Sequence, residues 1–242
     1  MNLKQLFSQM FSQKKIEKVE DGSKNSRKGK KVYIDNANIY HGQLEAGWQV
    51  DWVKLDSYLK NTLGPVQETY LFAAKPDSGN MSNPKENAIL RFCDFLKMRL
   101  NYVVIWGKLV WRPIKCQACG DSHNVRAEKS VDTALATQLI TSGLRDEIEE
   151  AIVLTGDQDL LAPICALKQI GVKIRIVGWR SSMAPDLAKE STLPVIYLED
   201  LKDAVSKNKK PIEKPSFQLT TSAKRLFEQK GFKLTALKAS VQ

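Results

Sequence analysis

The sequence predicts an α/β fold in which a mostly parallel sheet lies between two layers of helices. Short apolar runs alternate along the chain with segments of helical periodicity, which is the pattern of repeated β-α units. The length of 242 residues, with 43% hydrophobic and 26% charged residues, is typical of a globular protein with one sizeable core. Helices on both faces would cover the buried strands.

The predicted strands are short apolar runs bounded by polar or turn residues. The run at 102–111 is extended, and the run at 194–200 closes the core. In order, the runs are "VYI" at 32–34, "VQETYLFAA" at 66–74, "YVVIWGKLVW" at 102–111, "EAIVLT" at 150–155, "VKIRIVGW" at 172–179 and "PVIYLED" at 194–200.

The predicted helices show apolar residues three or four positions apart. Leu135 and Leu139 share a face of one of them, and Asn83 followed by Pro84 is a typical helix start. Gly171 ends another. The segments are "WQVDWVKLDSYL" at 48–59, "NPKENAILRFCDFLKMRL" at 83–100, "KSVDTALATQLITSGL" at 129–144, "LLAPICALKQIG" at 160–171 and "APDLAKES" at 184–191.

The positive charge is concentrated at the two ends of the chain. Residues 1–31 hold nine Lys or Arg against three acids, residues 201–242 hold ten against three, and the middle is net negative. Basic tails suit a polyanion such as RNA, but tails that only keep a protein soluble show the same pattern. We divide the chain into a short helix with a basic linker (1–30), a core domain (31–200) and a Lys-rich segment (201–242). That last segment is either a linker with a small helical element or a tail that folds on a partner.

No membrane association is expected. No uncharged apolar run reaches the length of about 18 residues that a spanning helix needs, and the N-terminus lacks the features of a signal peptide. The four cysteines are therefore expected as thiols in a reducing cytoplasm. The N-terminal helix and the C-terminal tail are the two places where a protein partner could dock.

Acidic residues stand where apolar runs end. Asp35 follows the first run, and Asp157 and Asp159 follow the fourth. Asp132 lies in the first turn of a predicted helix. Because the carboxyl ends of parallel strands meet at one edge of a sheet, we expect the three strand-end acids to emerge there together.

Each of these aspartates, taken singly, could be a helix cap worth about 0.5–2 kcal/mol. Together they are harder to explain, because two unit charges 4 Å apart repel by roughly 4 kcal/mol at an effective dielectric constant of 20. A fold that gathers carboxylates either raises their pKa values or binds a cation. Oxygen ligands without His or Cys favour Mg²⁺ or Mn²⁺.

Three ordered motifs carry a resemblance to a known family. They are the aspartate with nearby asparagines in "VYIDNANIYHG", Lys-x-Val-Asp in "EKSVDTALATQL" and Thr-Gly-Asp-x-Asp in "AIVLTGDQDLLAPI". With them, residues 31–200 resemble the NYN domains, in particular the LabA-like branch of the PIN-like nuclease superfamily. The resemblance implies a three-layer α/β/α sandwich, a divalent metal and metal-dependent cleavage of RNA.

Carried over by position, the resemblance implies a set of site residues. The catalytic and metal-binding acids would be Asp35, Asp132, Asp157 and Asp159, and the substrate-binding residues would be Asn38 and Lys129. PIN domains also tend to place an acid on the helix after the second strand. Glu86 and Asp94 are the candidates for that position.

The expected activity is that of a Mg²⁺- or Mn²⁺-dependent endoribonuclease that cleaves single-stranded RNA with a metal-activated water. DNA stays open as an alternative substrate. An alternative function is a regulatory RNA-binding protein with little or no turnover. The acids argue against that alternative, since a pure binder has no need of negative charge facing phosphates.

The segment before Asp132 contains Cys116 and Cys119 in the spacing of a zinc knuckle. A structural zinc site normally has four ligands and a second pair is missing, so the segment favours a protruding loop or β-hairpin, and we do not expect zinc there. Its basic residues favour contact with a nucleic-acid backbone over a merely solvated loop. The tryptophans include rings that could stack on bases, although most are expected in the core.

Overall fold

The protein is described by a computed structural model that covers residues 28–76, 84–115 and 120–207. These residues contain one sheet of seven strands, which confirms the predicted α/β fold class. The strands are β1 (Gly29–Asp35), β2 (Val66–Lys75), β3 (Val103–Lys115), β4 (Ser122–Lys129), β5 (Ile148–Leu154), β6 (Lys173–Gly178) and β7 (Ile196–Tyr197). Their order in the sheet is β4-β3-β2-β1-β5-β6-β7. All neighbours are parallel except β3 and β4, which form an antiparallel hairpin.

Seven α-helices accompany the sheet within the same residues. They are α1 (Asn36–Ala46), α2 (Trp52–Leu63), α3 (Pro84–Leu100), α4 (Val131–Leu144), α5 (Leu161–Gln169), α6 (Pro185–Glu190) and α7 (Lys202–Val205). Helices α1, α2, α3 and α7 contribute to the core on one face of the sheet, and α4, α5 and α6 contribute to the core on the other. The three-layer sandwich is therefore confirmed.

The central strand β1 is buried on both faces. Val32 and Ile34 belong to the core under α1 and α2, and Tyr33 belongs to the core under α4 and α5. All three side chains are at most 1% exposed. Burial of this kind is typical of parallel strands between two helix layers, and each large apolar side chain contributes about 1.5–3 kcal/mol.

The first two helices begin and end at residues suited to those positions. The side chain of Asp35 accepts the N–H of Asn38 at the start of α1, and Asp51 accepts the N–H groups of Val53 and Lys54 at the start of α2. Helix α1 ends at Gly47 in the left-handed conformation, where glycine is least strained. The predicted helix cap at residue 83 lies outside the described residues.

The strand order runs outward from the centre of the sheet in two opposite directions, one starting at β1 and the other at β5. Helices α1 to α3 connect β1, β2 and β3 on one face, and α4 to α6 connect β4, β5, β6 and β7 on the other. Strands β1 and β5 are nevertheless neighbours, so their following loops diverge to opposite faces. A reversal of this kind opens a crevice at the carboxyl ends of the two strands, which is where ligands bind in such sheets.

The C-terminal part of the described chain packs back on the core. The N–H of Asp51 donates to the carbonyl of Val205 over 2.7 Å, and the N–H of Lys207 donates to the carbonyl of Gln49 over 2.9 Å. These contacts carry the folded region a few residues past residue 200, where the composition becomes Lys-rich. Among the described residues, no helix combines the length and the apolar character needed to cross a membrane.

Candidate active site

Three aspartates from separate parts of the chain meet at the crevice. Asp35 ends β1, Asp132 lies in the first turn of α4, and Asp157 follows β5. One carboxylate oxygen of each lies within 4.8 Å of those of the other two. Asp35 is 3% exposed, Asp157 is half-buried and Asp132 is exposed. The cluster is therefore anchored at its base and open to solvent on one side.

Asp35 is held at the base of the cluster by two hydrogen bonds. Its Oδ1 accepts the N–H of Asn38 over 3.1 Å, and its Oδ2 accepts the hydroxyl of Thr155 over 3.1 Å. Burial raises the pKa of Asp35 to about 6; the two hydrogen bonds oppose the rise, and the charges of Asp132 and Asp157 add to it. The carboxylate is thus well oriented but lacks a cation among the described side chains.

The loop after β5 is tied to the start of α1. The N–H of Asp157 donates to Oγ1 of Thr155 over 3.1 Å, and the N–H of Gly156 donates to Oδ1 of Asn38 over 3.0 Å. A Cβ added to Gly156 would lie 2.4 Å from the carbonyl oxygen of Ser182. A glycine is required there because the backbone of the next loop approaches so closely.

The two aspartates of the Thr-Gly-Asp-x-Asp motif play different parts in the geometry. Asp157 caps the 3₁₀ turn Gln158–Leu160, since its Oδ1 accepts the N–H of Asp159 over 3.0 Å. Asp159 itself is exposed and lies outside the group of three clustered carboxylates. An aspartate can therefore cap a helix and also belong to the acidic cluster, as both Asp35 and Asp157 do.

Asp132 reaches the cluster because α4 starts close to β3. A Cβ on Gly107 of β3 would lie 2.4 Å from Cγ2 of Val131, so only glycine permits this approach. Ser130, just before the helix, adopts the left-handed conformation with φ 70° and makes no side-chain cap. The pKa of Asp132 is raised by partial burial first, and then by the charges of Asp157 and Asp159.

A cleft of about 330 Å³ lies over the cluster. One wall is a face of α1, where residues three or four positions apart lie side by side. The lining residues are Asp35, Ala37, Asn38, His41, Gly42, Glu45, Glu128, Asp132, Asp157 and Ser182.

Glu128 is a further acid of the cleft, and it is not among the residues expected from the sequence. It lies on β4 directly opposite Leu109 and lines the cleft with an exposed side chain. Its pKa is raised by desolvation in the cleft first, and then by the charges of Asp35 and Asp132. Glu128 is the first residue of the segment "EKSVDTALATQL" and precedes Asp132 by four residues. This closeness to Asp132 is the one feature of the sequence that could have indicated it.

The other residues expected from the sequence are not members of the acidic cluster found among the described residues. Lys129 is exposed and stands opposite Lys108 at the base of the hairpin. Asp94 is exposed, pairs with Lys97 over 3.8 Å and is not part of the cleft wall. The side chain of Glu86, together with the pair at 116 and 119, lies outside the described residues.

Comparisons with known proteins agree with this fold. A family model described as the NYN domain matches residues 31–199. The crystal structure of a protein of unknown function from Vibrio parahaemolyticus RIMD 2210633 is similar, with a TM-score of 0.53 and 16% sequence identity over 76% of this chain and 99% of that one. Identity this low shows a shared fold alone. No curated protein matches. The family match spans nearly the whole core, and this chain belongs to the NYN domain family of PIN-like nucleases.

Proposed function

We propose that the protein is a divalent-metal-dependent endoribonuclease that cleaves single-stranded RNA. The observation that carries the proposal is the meeting of Asp35, Asp132 and Asp157, whose oxygens lie within 4.8 Å of one another at the floor of an open cleft. The motifs that supply these residues are those of a nuclease-like family. Phosphodiester cleavage is the chemistry that best accounts for both features.

The donor set fits Mg²⁺ or Mn²⁺. It consists of carboxylate oxygens, and a carboxylate that accepts one hydrogen bond at each oxygen, as Asp35 does, keeps further lone pairs for a cation. Asp35, Asp132 and Asp157 would hold the ion. When bound, the ion would supply Lewis-acid activation of water and charge stabilisation on the phosphate.

The surrounding residues suit the handling of a phosphate. Oδ1 of Asn38 is occupied by the N–H of Gly156, so its amide NH₂ group is the part left to donate toward a substrate. The ammonium group of Lys129 is exposed two residues before the helix that carries Asp132. We assign Asn38 and Lys129 to substrate binding. Asp159 is assigned to the metal environment, because its charge acts on Asp132.

The shape of the cleft favours internal cleavage. His41, Glu45, Glu128 and Asp132 line it with exposed side chains, so the walls are accessible to solvent. A chain that passes across such a cleft presents an internal phosphodiester without threading an end into a closed pocket. A flexible single strand can bend into the crevice more easily than a duplex can.

The test is incubation of the full-length protein with labelled single-stranded and duplex RNA and DNA, in Mn²⁺, Mg²⁺ or EDTA. We expect internal cuts in single-stranded RNA that depend on the metal. Asp132→Asn should lower the rate by at least about a hundredfold, a loss typical of disrupted metal-dependent catalysis. The matched control Asp94→Asn removes an exposed acid outside the cleft and should cleave like the wild type.

Two outcomes would contradict the proposal. Equal cleavage by wild type and Asp132→Asn would show that the activity comes from elsewhere. Binding of RNA without any cleavage in either metal would favour the alternative, a regulatory RNA-binding protein.

A further inference from the structure

The β3–β4 hairpin extends past the edge of the sheet at which the aspartates lie. Strand β3 pairs with β2 as far as Lys108, and from Leu109 to Lys115 its strand partner within the described part of the chain is β4 alone. Those seven residues span roughly 20 Å. Because β3 runs parallel to β2 and β1, this part of the hairpin projects from the edge that carries the cleft.

One face of the projecting hairpin continues the wall of the cleft. Leu109 packs against the core under α4, and its cross-strand partner Glu128 lines the cleft. Side chains alternate along a strand, so Trp111 stands on the same face as Leu109, about 7 Å further out. Its residue is 59% exposed. An accessible indole therefore lies one strand repeat beyond the cleft wall.

Exposure on this scale sets Trp111 apart from other tryptophans of the protein. Trp48, Trp52 and Trp179 are at most 9% exposed and belong to the core. The exposed part of a large aromatic residue gains free energy when a flat partner covers it. Bases of a single strand are such partners, and each stacked base contributes about 1–3 kcal/mol in a manner that tolerates any sequence.

The charges of the hairpin favour an anionic partner. Lys108 and Lys129 are directly opposed at its base, and both are exposed. Like charges in this position destabilise a strand pair, and a phosphate between them would relieve the repulsion. Residues 103–129 hold five basic and two acidic residues, whereas the rest of residues 32–200 hold thirteen basic and nineteen acidic residues. The hairpin is a basic arm on an acidic core.

We propose that the β3–β4 hairpin is a binding arm for single-stranded nucleic acid. Trp111 stacks on one base, and Lys108 and Lys129, which the strand alternation places on the other face of the hairpin, add positive charge that attracts the phosphate backbone of the same strand. The inference rests on the proposed function, since the arm holds the strand that the aspartates cleave. A duplex keeps its bases stacked on each other, so the arm selects single strands.

The test measures binding apart from cleavage. Anisotropy of a labelled single-stranded RNA of about 20 nucleotides, longer than one such surface covers, is recorded with the full-length protein in EDTA. Trp111→Leu should weaken binding about tenfold, and Trp111→Phe, which keeps a ring, should restore most of it. The double variant Lys108→Ala/Lys129→Ala should lower the slope of log affinity against log salt by about 0.7 per lost phosphate contact. The control Met98→Ala removes another exposed apolar side chain, on α3, and should bind like the wild type.

The outcomes separate this inference from the proposed function. Weaker RNA binding by Trp111→Leu supports the binding role of the hairpin. It does so even if the wild type shows no cleavage in Mn²⁺, a result that would contradict the nuclease proposal. Equal affinity of Trp111→Leu and wild type overturns the arm, even if cleavage is normal. A change in oligomeric mass on mutation of Trp111, with RNA affinity unchanged, also overturns it and identifies the hairpin as a protein interface.

Discussion

Thr155, fully buried directly after β5, donates a hydrogen bond of 3.1 Å to Oδ2 of Asp35 at the end of β1. The same hydroxyl oxygen accepts the N–H of Asp157 over 3.1 Å. One side chain therefore fixes two of the three clustered acids relative to each other. Thr155 positions the site through Asp35 and Asp157.

Replacement of Thr155 by valine should impair both stability and activity. Valine keeps the shape but leaves a buried carboxylate oxygen and the N–H of Asp157 without this partner, at a cost of about 1–3 kcal/mol. Thermal unfolding should report the loss, and Mn²⁺-dependent cleavage should fall by about tenfold or more. Thr155→Ser keeps the hydroxyl and is the matched control. A Thr155→Val protein with wild-type stability and cleavage would contradict the positioning role.

The raised pKa of Asp35 predicts a pH dependence of stability in the metal-free protein. The folded state holds the Asp35 proton up to a pKa of about 6, whereas the usual value is 3.8. Protonation therefore favours the folded state at low pH, and this contribution, on the order of 3 kcal/mol, is lost as pH rises from about 4 through about 6. Asp35→Asn should flatten this part of the stability curve in EDTA, as measured by chemical denaturation at a series of pH values.

Metal binding should show the opposite trend over the same range. A cation needs the deprotonated carboxylates, so Mn²⁺ affinity should rise as pH increases through about 6 and then level off. Thermal shift with and without Mn²⁺ across this range measures it. The account would be contradicted if the increase in melting temperature caused by Mn²⁺ at pH 4 were within about a factor of two of the increase at pH 7.

Gly156→Ala should damage the site through the backbone. The new Cβ would meet the carbonyl of Ser182 at 2.4 Å, so one of the two loops must shift, at a cost of about 1–3 kcal/mol. We expect lower stability together with reduced cleavage. Gly171→Ala is the matched control: its φ of 89° makes alanine strained, but its Cβ would meet nothing within 4 Å. That variant should lose stability and keep its cleavage rate.

Two substitutions of Asn38 separate its structural role from its role toward the substrate. Asn38→Ala leaves the N–H of Gly156 without its acceptor and should lower stability by about 1–3 kcal/mol. Asn38→Asp keeps an acceptor for that N–H but adds a charge beside Asp35, so its stability should recover mainly when Mn²⁺ is added. Melting temperatures with and without metal measure both effects. Equal responses of the two variants to Mn²⁺ would contradict this assignment.

The fold was largely predictable because the alternation of periodicities is a local property of the sequence. Runs such as Val32–Ile34 predict buried strands. Of the two alternatives expected for the segment with the cysteine pair, a protruding loop or a β-hairpin, strands β3 and β4 form the hairpin. The order of the strands was not predictable in the same way. It depends on which face each helix crosses, and residue spacing alone does not decide whether β1 pairs with β5.

The site was predictable in part, for a related reason. Asp35 and Asp157 follow apolar runs, and the carboxyl ends of parallel strands share an edge. Glu128 gave no such signal, since it lies on an edge strand among basic residues, and only its register opposite Leu109 brings it to the cleft. In the sequence, Thr155 is only the last residue of the predicted strand "EAIVLT". Its contact with Asp35 exists only because β5 pairs with β1.

The most direct test of the account is a calorimetric titration of the metal-free protein with Mn²⁺ near neutral pH. The account predicts saturable binding by the wild type and by Asp94→Asn, with affinity lowered by at least about tenfold in Asp35→Asn and Asp132→Asn. Absence of Mn²⁺ uptake by the wild type, or equal uptake by all four proteins, would contradict the claim that these aspartates form a metal site.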